Sequence, residues 1–333
     1  MLKKVSLKDV AERAGVSTAL VSFVLNGKSD KYRVGEETTK RIIKVAKEMN
    51  YKPNLAAKAL RSNETHTIGV VVSDISNPFF SQIARYLQDE AEKKGYTVLF
   101  GNSDEDATML RRVTINIINK GVDGLIIVPC RGSHQFIKSL VGEDTPLVLL
   151  DRYFDDLNCS YVALNSAKAS YQATKYILSK GFKRPSAVGY NIDLSYMHER
   201  IKGYTEAMTQ AGLEDEIDII HLVEDKSRES AKVLIPQAIE QGRDSFLCVT
   251  NILSEDSLYA MKELEGEVID KLAIVGYDGS PAFDFFRTSI PYMQQPLEEI
   301  AKKAIEIIVD HMTNRTQYKV SQNLIDGVFL NNH

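Results

Sequence analysis

The chain has 333 residues, 44% of them hydrophobic and 26% charged, with a net charge of −4. That length predicts two or three domains in a soluble chain. Neither an apolar signal core in the opening MLKKVSLKDVAERAG nor any run approaching about 18 apolar residues speaks for secretion or a membrane span.

Charge divides the chain unevenly. Residues 1–67 carry 14 Lys and Arg against 7 Asp and Glu, net +7, while the remaining 266 carry 27 against 38, net −11. A basic head on an acidic body predicts a polyanion met by the head alone. Composition by itself also fits a solvated lysine-rich tail, so the motif within the head has to decide. The three cysteines, Cys130, Cys159 and Cys248, are far apart and form no C-x-x-C pair, which fits a reducing cytoplasm better than a disulfide framework or a zinc site.

The head reads as helices throughout. Ser6 can cap a helix running to about Ala14, Gly15 permits a sharp turn, and Ser17 can cap the next helix. In AERAGVSTALVSFVLNG (11–27), a helical wheel gathers Val21, Val24 and Leu25 on one side. Thr18, Ala19, Ser22 and Asn26 fall opposite, and Phe23 points well away from the apolar stripe. A third helix fits 36–49, and a short one fits 55–61 after Pro53. Two capped helices joined by a tight turn, the second with a small-residue face, describe a helix-turn-helix whose second helix can enter the major groove. The alternative is a plain three-helix bundle with Phe23 in an interface. The stretch GKSDKYRV (27–34) adds a basic loop in which Lys28, Lys31 and Arg33 could meet phosphates or simply be solvated.

From Thr67 onward nine short apolar runs alternate with amphipathic segments: 67–73, 96–102, 123–129, 146–151, 161–165, 185–190, 218–223, 245–250 and 272–278. Near-continuous apolar runs suit parallel strands covered on both faces, and the βα rhythm predicts doubly wound sheets. The rhythm restarts after the irregular DRYFDDLNCS (151–160), which predicts two α/β lobes. A helix over about 297–313 and one last strand, 323–330, follow PYMQQP (291–296). In such sheets ligands bind beyond the carboxyl ends of strands. Polar and aromatic residues gather there: Asp74, Asn77, Phe79 and Phe80; Arg131; Asp151 and Arg152; Tyr190 and Asn191; Asn251; Asp278. Each alone could be structural; as a set they predict a cleft for a small polar ligand.

The head VSLKDVAERAGVSTALVSFVLNG, continued by MNYKPNLAAKALRSNETHTIGVVVSDISNPFF and, later, GYDG (276–279) and MQQP (293–296), resembles the LacI family of bacterial transcription regulators over essentially the whole chain. The body alone resembles periplasmic sugar-binding proteins equally well. The resemblance implies a helix-turn-helix head at 1–53, a hinge helix and linker at 54–66, and a two-lobed periplasmic-binding-protein-like body. Its N-terminal lobe would comprise 67–160 plus 292–321, and its C-terminal lobe 161–291 plus 322–333. It further implies a cytoplasmic homodimer that binds a near-palindromic operator in double-stranded DNA, a repressor under allosteric control by a small effector, a sugar by preference.

By that resemblance Thr18, Ala19, Ser22 and Phe23 read bases, and Ser6, Ser17, Asn26, Thr38 and Asn50 meet phosphates, to which Lys28 of the basic loop could add a contact. Phe23 departs from the polar residues common at its site. Two hinge helices would fold against each other in the minor groove, where Leu60, helped by Ala57, wedges between base pairs. Arg200, in HERIKGY, resembles the arginine that meets ligand oxygens, with Asp278 opposite it. TNILSED (250–256) departs from the family by placing Ile252 where an aspartate is common, which keeps another polyol, a nucleobase or a protein co-regulator open. The chain ends without a heptad segment, which predicts a dimer over a tetramer.

Two other classes compete. A transport-type binding protein fits the body but not the basic head. An enzyme would need a motif such as G-x-S-x-G, H-E-x-x-H, a P-loop or G-x-G-x-x-G, and none occurs. His66, His134, His198, His221, His311 and His333 form no spaced cluster, so catalytic residues, metals and cofactors are not expected.

Overall fold

In the computed structural model of the protein, the residues described are 5–51, 64–262, 272–280, 283, 290–315 and 317–331. Two units are present, Met1–Thr65 and His66–His333.

In the first unit, α1 (Leu7–Ala14) begins with a capping box. The Ser6 hydroxyl accepts from the Asp9 backbone N–H at 3.2 Å, and the Asp9 carboxylate accepts from the Ser6 N–H at 2.7 Å. Such a cap is worth about 1 kcal/mol because it satisfies donors the helix itself leaves unpaired. Gly15, at φ 66°, closes α1 in the left-handed region that a side chain would resist. Ser17 caps α2 (Thr18–Leu25) by accepting from Leu20 N–H at 3.2 Å, and α3 (Glu36–Glu48) completes the unit. Val10, Ala11, Ala14, Val21, Val24, Ile42 and Ala46 form its buried core. The expected helix at 55–61, with Ala57 and Leu60, lies outside the described residues.

The second unit contains two six-stranded sheets. The first is built from β1 (Thr67–Val72), β2 (Thr97–Asn102), β3 (Gly124–Ile127), β4 (Leu147–Leu150), β5 (Ser160–Leu164) and β11 (Gln322–Ile325), in the order β11-β5-β4-β3-β1-β2 with every pair parallel. The second holds β6 (Pro185–Tyr190), β7 (Ile219–Leu222), β8 (Ser245–Cys248), β9 (Ala273–Tyr277), β10 (Tyr292–Gln294) and β12 (Val328–Leu330), in the order β12-β10-β9-β8-β6-β7. Only β10 and β12 pair antiparallel. The nine apolar runs all became strands. Those of β3, β4, β6 and β8 are buried at every position, as strands covered on both faces must be.

Helices α4 (Pro78–Lys93) and α11 (Leu297–Thr313) share one core with the first sheet, while α5 (Ala107–Ile118) and α6 (His134–Leu140) share another. In the second lobe α7 (Ser166–Ser179) packs on α8 (Ser195–Gln210), and α9 (Ser227–Glu240) on α10 (Asn251–Lys262).

The strands correct the expected lobe boundaries. β5 and β11 pair within the first sheet although 161–164 and 322–325 were expected in the C-terminal lobe, and β10 pairs in the second sheet although 292–294 was expected in the N-terminal one. The irregular stretch is a loop over 151–159 inside one lobe, its last residue Ser160 opening β5, and the chain leaves that lobe only after adding β5. The single strand expected over 323–330 is two, because its halves pair with different sheets across Asp326-Gly327. A Cβ on Gly327 would lie 2.7 Å from Met293 Sδ, so any larger residue would make that buried side chain shift.

The chain therefore crosses between lobes three times: after β5 at Asn165, after β10 at Gln295-Pro296, and at Asp326-Gly327. The first and third crossings are tied together. Asn165 Nδ2 donates to Asp326 Oδ1 at 3.1 Å, and Asn165 N–H donates to Ile325 O at 2.7 Å.

Candidate nucleic-acid interface and ligand cleft

On α2 the core takes Val21 and Val24, which leaves the opposite side free. Thr18, Ala19 and Asn26 are exposed, as are Ser6, Ser17, Lys28 and Asn50; Ser22, Phe23 and Thr38 are half-buried. Asn26 is partly engaged, because its Nδ2 donates to Ser22 O at 2.7 Å. Asn50 holds a left-handed φ of 49° just beyond α3.

Phe23 has a partner that sequence reasoning missed. The ring of Tyr32 stacks on it with centroids 3.7 Å apart and planes 6° from parallel. Periodicity cannot reveal such a contact, because Tyr32 belongs to the loop after α2 and no helical or strand repeat relates the two positions.

In the second unit a cleft opens at the carboxyl ends of both sheets. Ten of the twelve expected ligand residues line it: Asp74, Asn77, Phe79, Phe80, Asp151, Arg152, Tyr190, Arg200, Asn251 and Asp278. Arg131 and Asn191 do not line it and are exposed. The strand-end rule placed both correctly on the chain, but neither belongs to the lining. Glu105, Tyr196, Glu224, Thr250, Ile252 and Gln295 also line the cleft and were not among the expected ligand residues. Glu105 and Glu224 follow β2 and β7, so the same rule could have found them.

Both strand orders reverse at β1 and β6, the switch points where open α/β sheets bind ligands. Asp74 follows β1, Tyr190 ends β6 and Asn251 follows β8. Asp151 and Asp278 each sit just past a strand with φ of 64° and 53°, a conformation that Asp tolerates better than most side chains. Asn77 caps α4 by accepting from Phe79 N–H at 3.0 Å and also accepts from Asn251 Nδ2 at 2.8 Å, which joins the two lobes across the cleft.

Both arginines are buried and already engaged. Arg152 makes a bidentate pair with Glu105, each bond 2.7 Å, and donates to Pro129 O at 3.0 Å. Arg200 donates to Val249 O at 2.5 Å. The Tyr196 ring lies between them, 4.9 Å from the Arg152 guanidinium and 5.0 Å from that of Arg200. Asp278 accepts from Gln295 Nε2 at 2.9 Å and Gln295 N–H at 3.2 Å, so a cleft carboxylate grips a crossover. Burial pushes the Asp278 carboxyl up to about 6, against the pull of Gln295 and Arg200. Burial likewise raises Asp151 and Glu224 above the ordinary carboxylate range. The arrangement can hold a small polar molecule between aromatic faces and many hydrogen-bonding groups. Among the described residues no cluster of His, Cys, Asp and Glu could hold a metal ion, and no helix is long and apolar enough to cross a membrane.

A helix-turn-helix with a free reading face, in one chain with a two-lobed ligand cleft, defines a ligand-responsive DNA-binding regulator. Residues 6–54 match the family described as bacterial regulatory proteins, lacI family, and residues 65–323 match periplasmic binding proteins and sugar binding domain of LacI family. The chain is 29% identical to catabolite control protein A of Staphylococcus epidermidis, covering 93% of each. It is also 29% identical to the ribose operon repressor of Escherichia coli, covering 93% of this chain and 94% of that one. Among solved structures, the Lac repressor dimer bound to operator and the anti-inducer ONPF shares the fold with a TM-score of 0.84 at 19% identity, over 99% of this chain and 98% of that one. The protein belongs to the LacI family and is a transcriptional regulator.

Proposed function

We propose that the protein is a cytoplasmic homodimeric repressor of a near-palindromic operator, controlled by an uncharged polyhydroxylated effector, a sugar or sugar-like polyol. The observation that carries this reading is the cleft. Residues at or just after the ends of five strands, β1, β4, β6, β8 and β9, converge there with Arg200 of α8, in a chain whose head exposes Thr18, Ala19 and Asn26. Thr18, Ala19, Ser22 and Phe23 would read bases, while Ser6, Ser17, Asn26, Lys28, Thr38 and Asn50 hold phosphates. Leu60, with Ala57, would wedge the minor groove.

The charge balance of the cleft supports an uncharged effector over a phosphorylated one. Asp74, Glu105, Asp151, Glu224 and Asp278 face it against Arg152 and Arg200, and Arg152 is already paired with Glu105. An anion would meet uncompensated carboxylates. Ile252 adds an apolar contact in place of a hydrogen bond, and Phe79 and Phe80 add aromatic surface that suits the apolar face of a sugar ring.

Mapping bound DNA across a genome tests the first half of the reading, and calorimetry with neutral sugars, sugar phosphates and purine bases tests the second. Sharp, palindromic sites with binding of a neutral sugar are expected. Uniform, sequence-independent occupancy would refute the operator reading, and tight binding of a sugar phosphate or a purine alone would refute the effector class.

A further inference from the structure

The loop between α2 and α3 is a built element. Lys28 N–H donates to Phe23 O at 2.9 Å, Tyr32 N–H to Lys28 O at 3.2 Å, Arg33 N–H to Asp30 O at 3.1 Å and Val34 N–H to Ser29 O at 2.9 Å. These bonds anchor the loop to the end of α2 and fix the backbone on both sides of Tyr32. Arg33, at φ 51°, makes the turn that returns the chain to α3. The result is the parallel stack of Tyr32 on Phe23, with Tyr32 46% exposed and Phe23 half-buried.

A lone phenylalanine on a DNA-facing helix can turn among rotamers, and an apolar contact to a base needs one orientation. A second ring laid flat on one face removes that freedom, while Phe23, half-buried, keeps part of its surface exposed for a contact. The available chemistry in the major groove is the thymine methyl, the one apolar group among the base edges. Lys28, Lys31 and Arg33 are exposed on the same loop, where phosphate contacts would press it against the duplex and hold the stack in register.

We propose that Tyr32, outside the recognition helix, is a positioning residue for base readout: its ring fixes Phe23 so that the exposed part of Phe23 meets a thymine methyl in each half-site. The proposal rests on the DNA-binding reading above. It makes the long loop part of operator specificity as well as of affinity.

The test uses the full chain. Preferred duplexes are selected from a randomised library with the wild type, Tyr32→Ala, Tyr32→Phe, Phe23→Ala and the Phe23→Ala/Tyr32→Ala double variant. Uracil, which lacks the methyl, then replaces thymine at each selected position. The wild type should show one symmetry-related thymine whose replacement weakens binding about 5-fold, on the scale of single base contacts. Tyr32→Ala and Phe23→Ala should each lose that discrimination alone and keep every other preferred base, the double variant should lose no more, and Tyr32→Phe should restore it. The retained positions report a folded head. Unchanged discrimination in Tyr32→Ala, additive losses in the double variant, or loss in Tyr32→Phe would overturn the role of Tyr32. A wild type that selects no sequence would overturn the DNA-binding reading itself, a result distinct from any of these.

Discussion

Asp278 sits at the end of β9 with a left-handed backbone, buried, and bonded to Gln295. Its carboxyl is raised from 3.8 to about 6, chiefly by burial, so the folded protein binds this proton more tightly than the unfolded chain. The stability linked to it is therefore fully present below about pH 4 and is lost as pH rises through about 6, a change of roughly 2–3 kcal/mol. We expect the thermal midpoint of the body to carry a component that falls between about pH 4 and 6, and Asp278→Asn to abolish that component. A wild type and variant with parallel midpoints over this range would contradict the shift. Arg200 makes a second test. Arg200→Ala should remove the effector response while operator binding persists, and should cost about 1–3 kcal/mol of body stability, because Val249 O loses a charged donor in a buried site. An intact response would remove Arg200 from the ligand site. Most cleft residues were legible because strand ends are legible. Tyr32 was not, since its meeting with Phe23 depends on loop geometry that no periodicity encodes.

At the scale of elements, the apolar runs identified nine strands because β-branched segments of that length have few other stable uses. Their assignment to lobes was less legible: which sheet a strand joins depends on partners more than a hundred residues away, as when Gln322 aligns with Tyr161. Leu60 and Ala57 lie outside the described residues, and their proposed role is tested through the wedge itself. Leu60→Ala should reduce specific operator affinity about 10-fold or more while leaving nonspecific binding nearly intact, on the scale of the few kcal/mol needed to unstack a base step. Equal losses on both, read by titration of operator and random duplexes, would argue against a wedge.

At the scale of the whole molecule, the proposed regulation is a coupling between effector and operator. If that coupling is about 1–3 kcal/mol, saturating effector changes operator affinity by about 5- to 150-fold, and saturating operator changes effector affinity by the same factor. Both factors can be measured by titration, and a mismatch between them would show that the two ligands do not report on one equilibrium. Asn77 and Asn251 join the lobes directly, so Asn251→Ala should lower effector affinity and reduce the coupling. The three crossings have one more consequence. Neither lobe is a continuous stretch of the chain, since β6–β10 of the second separate β5 from β11 of the first, and β11 in turn separates β10 from β12. A gene fragment therefore cannot encode one complete lobe. A single cut at Asn165 leaves a first piece that lacks β11 of its own sheet and a second piece threaded through both sheets, and isolating a lobe would require rejoining the chain in a new order.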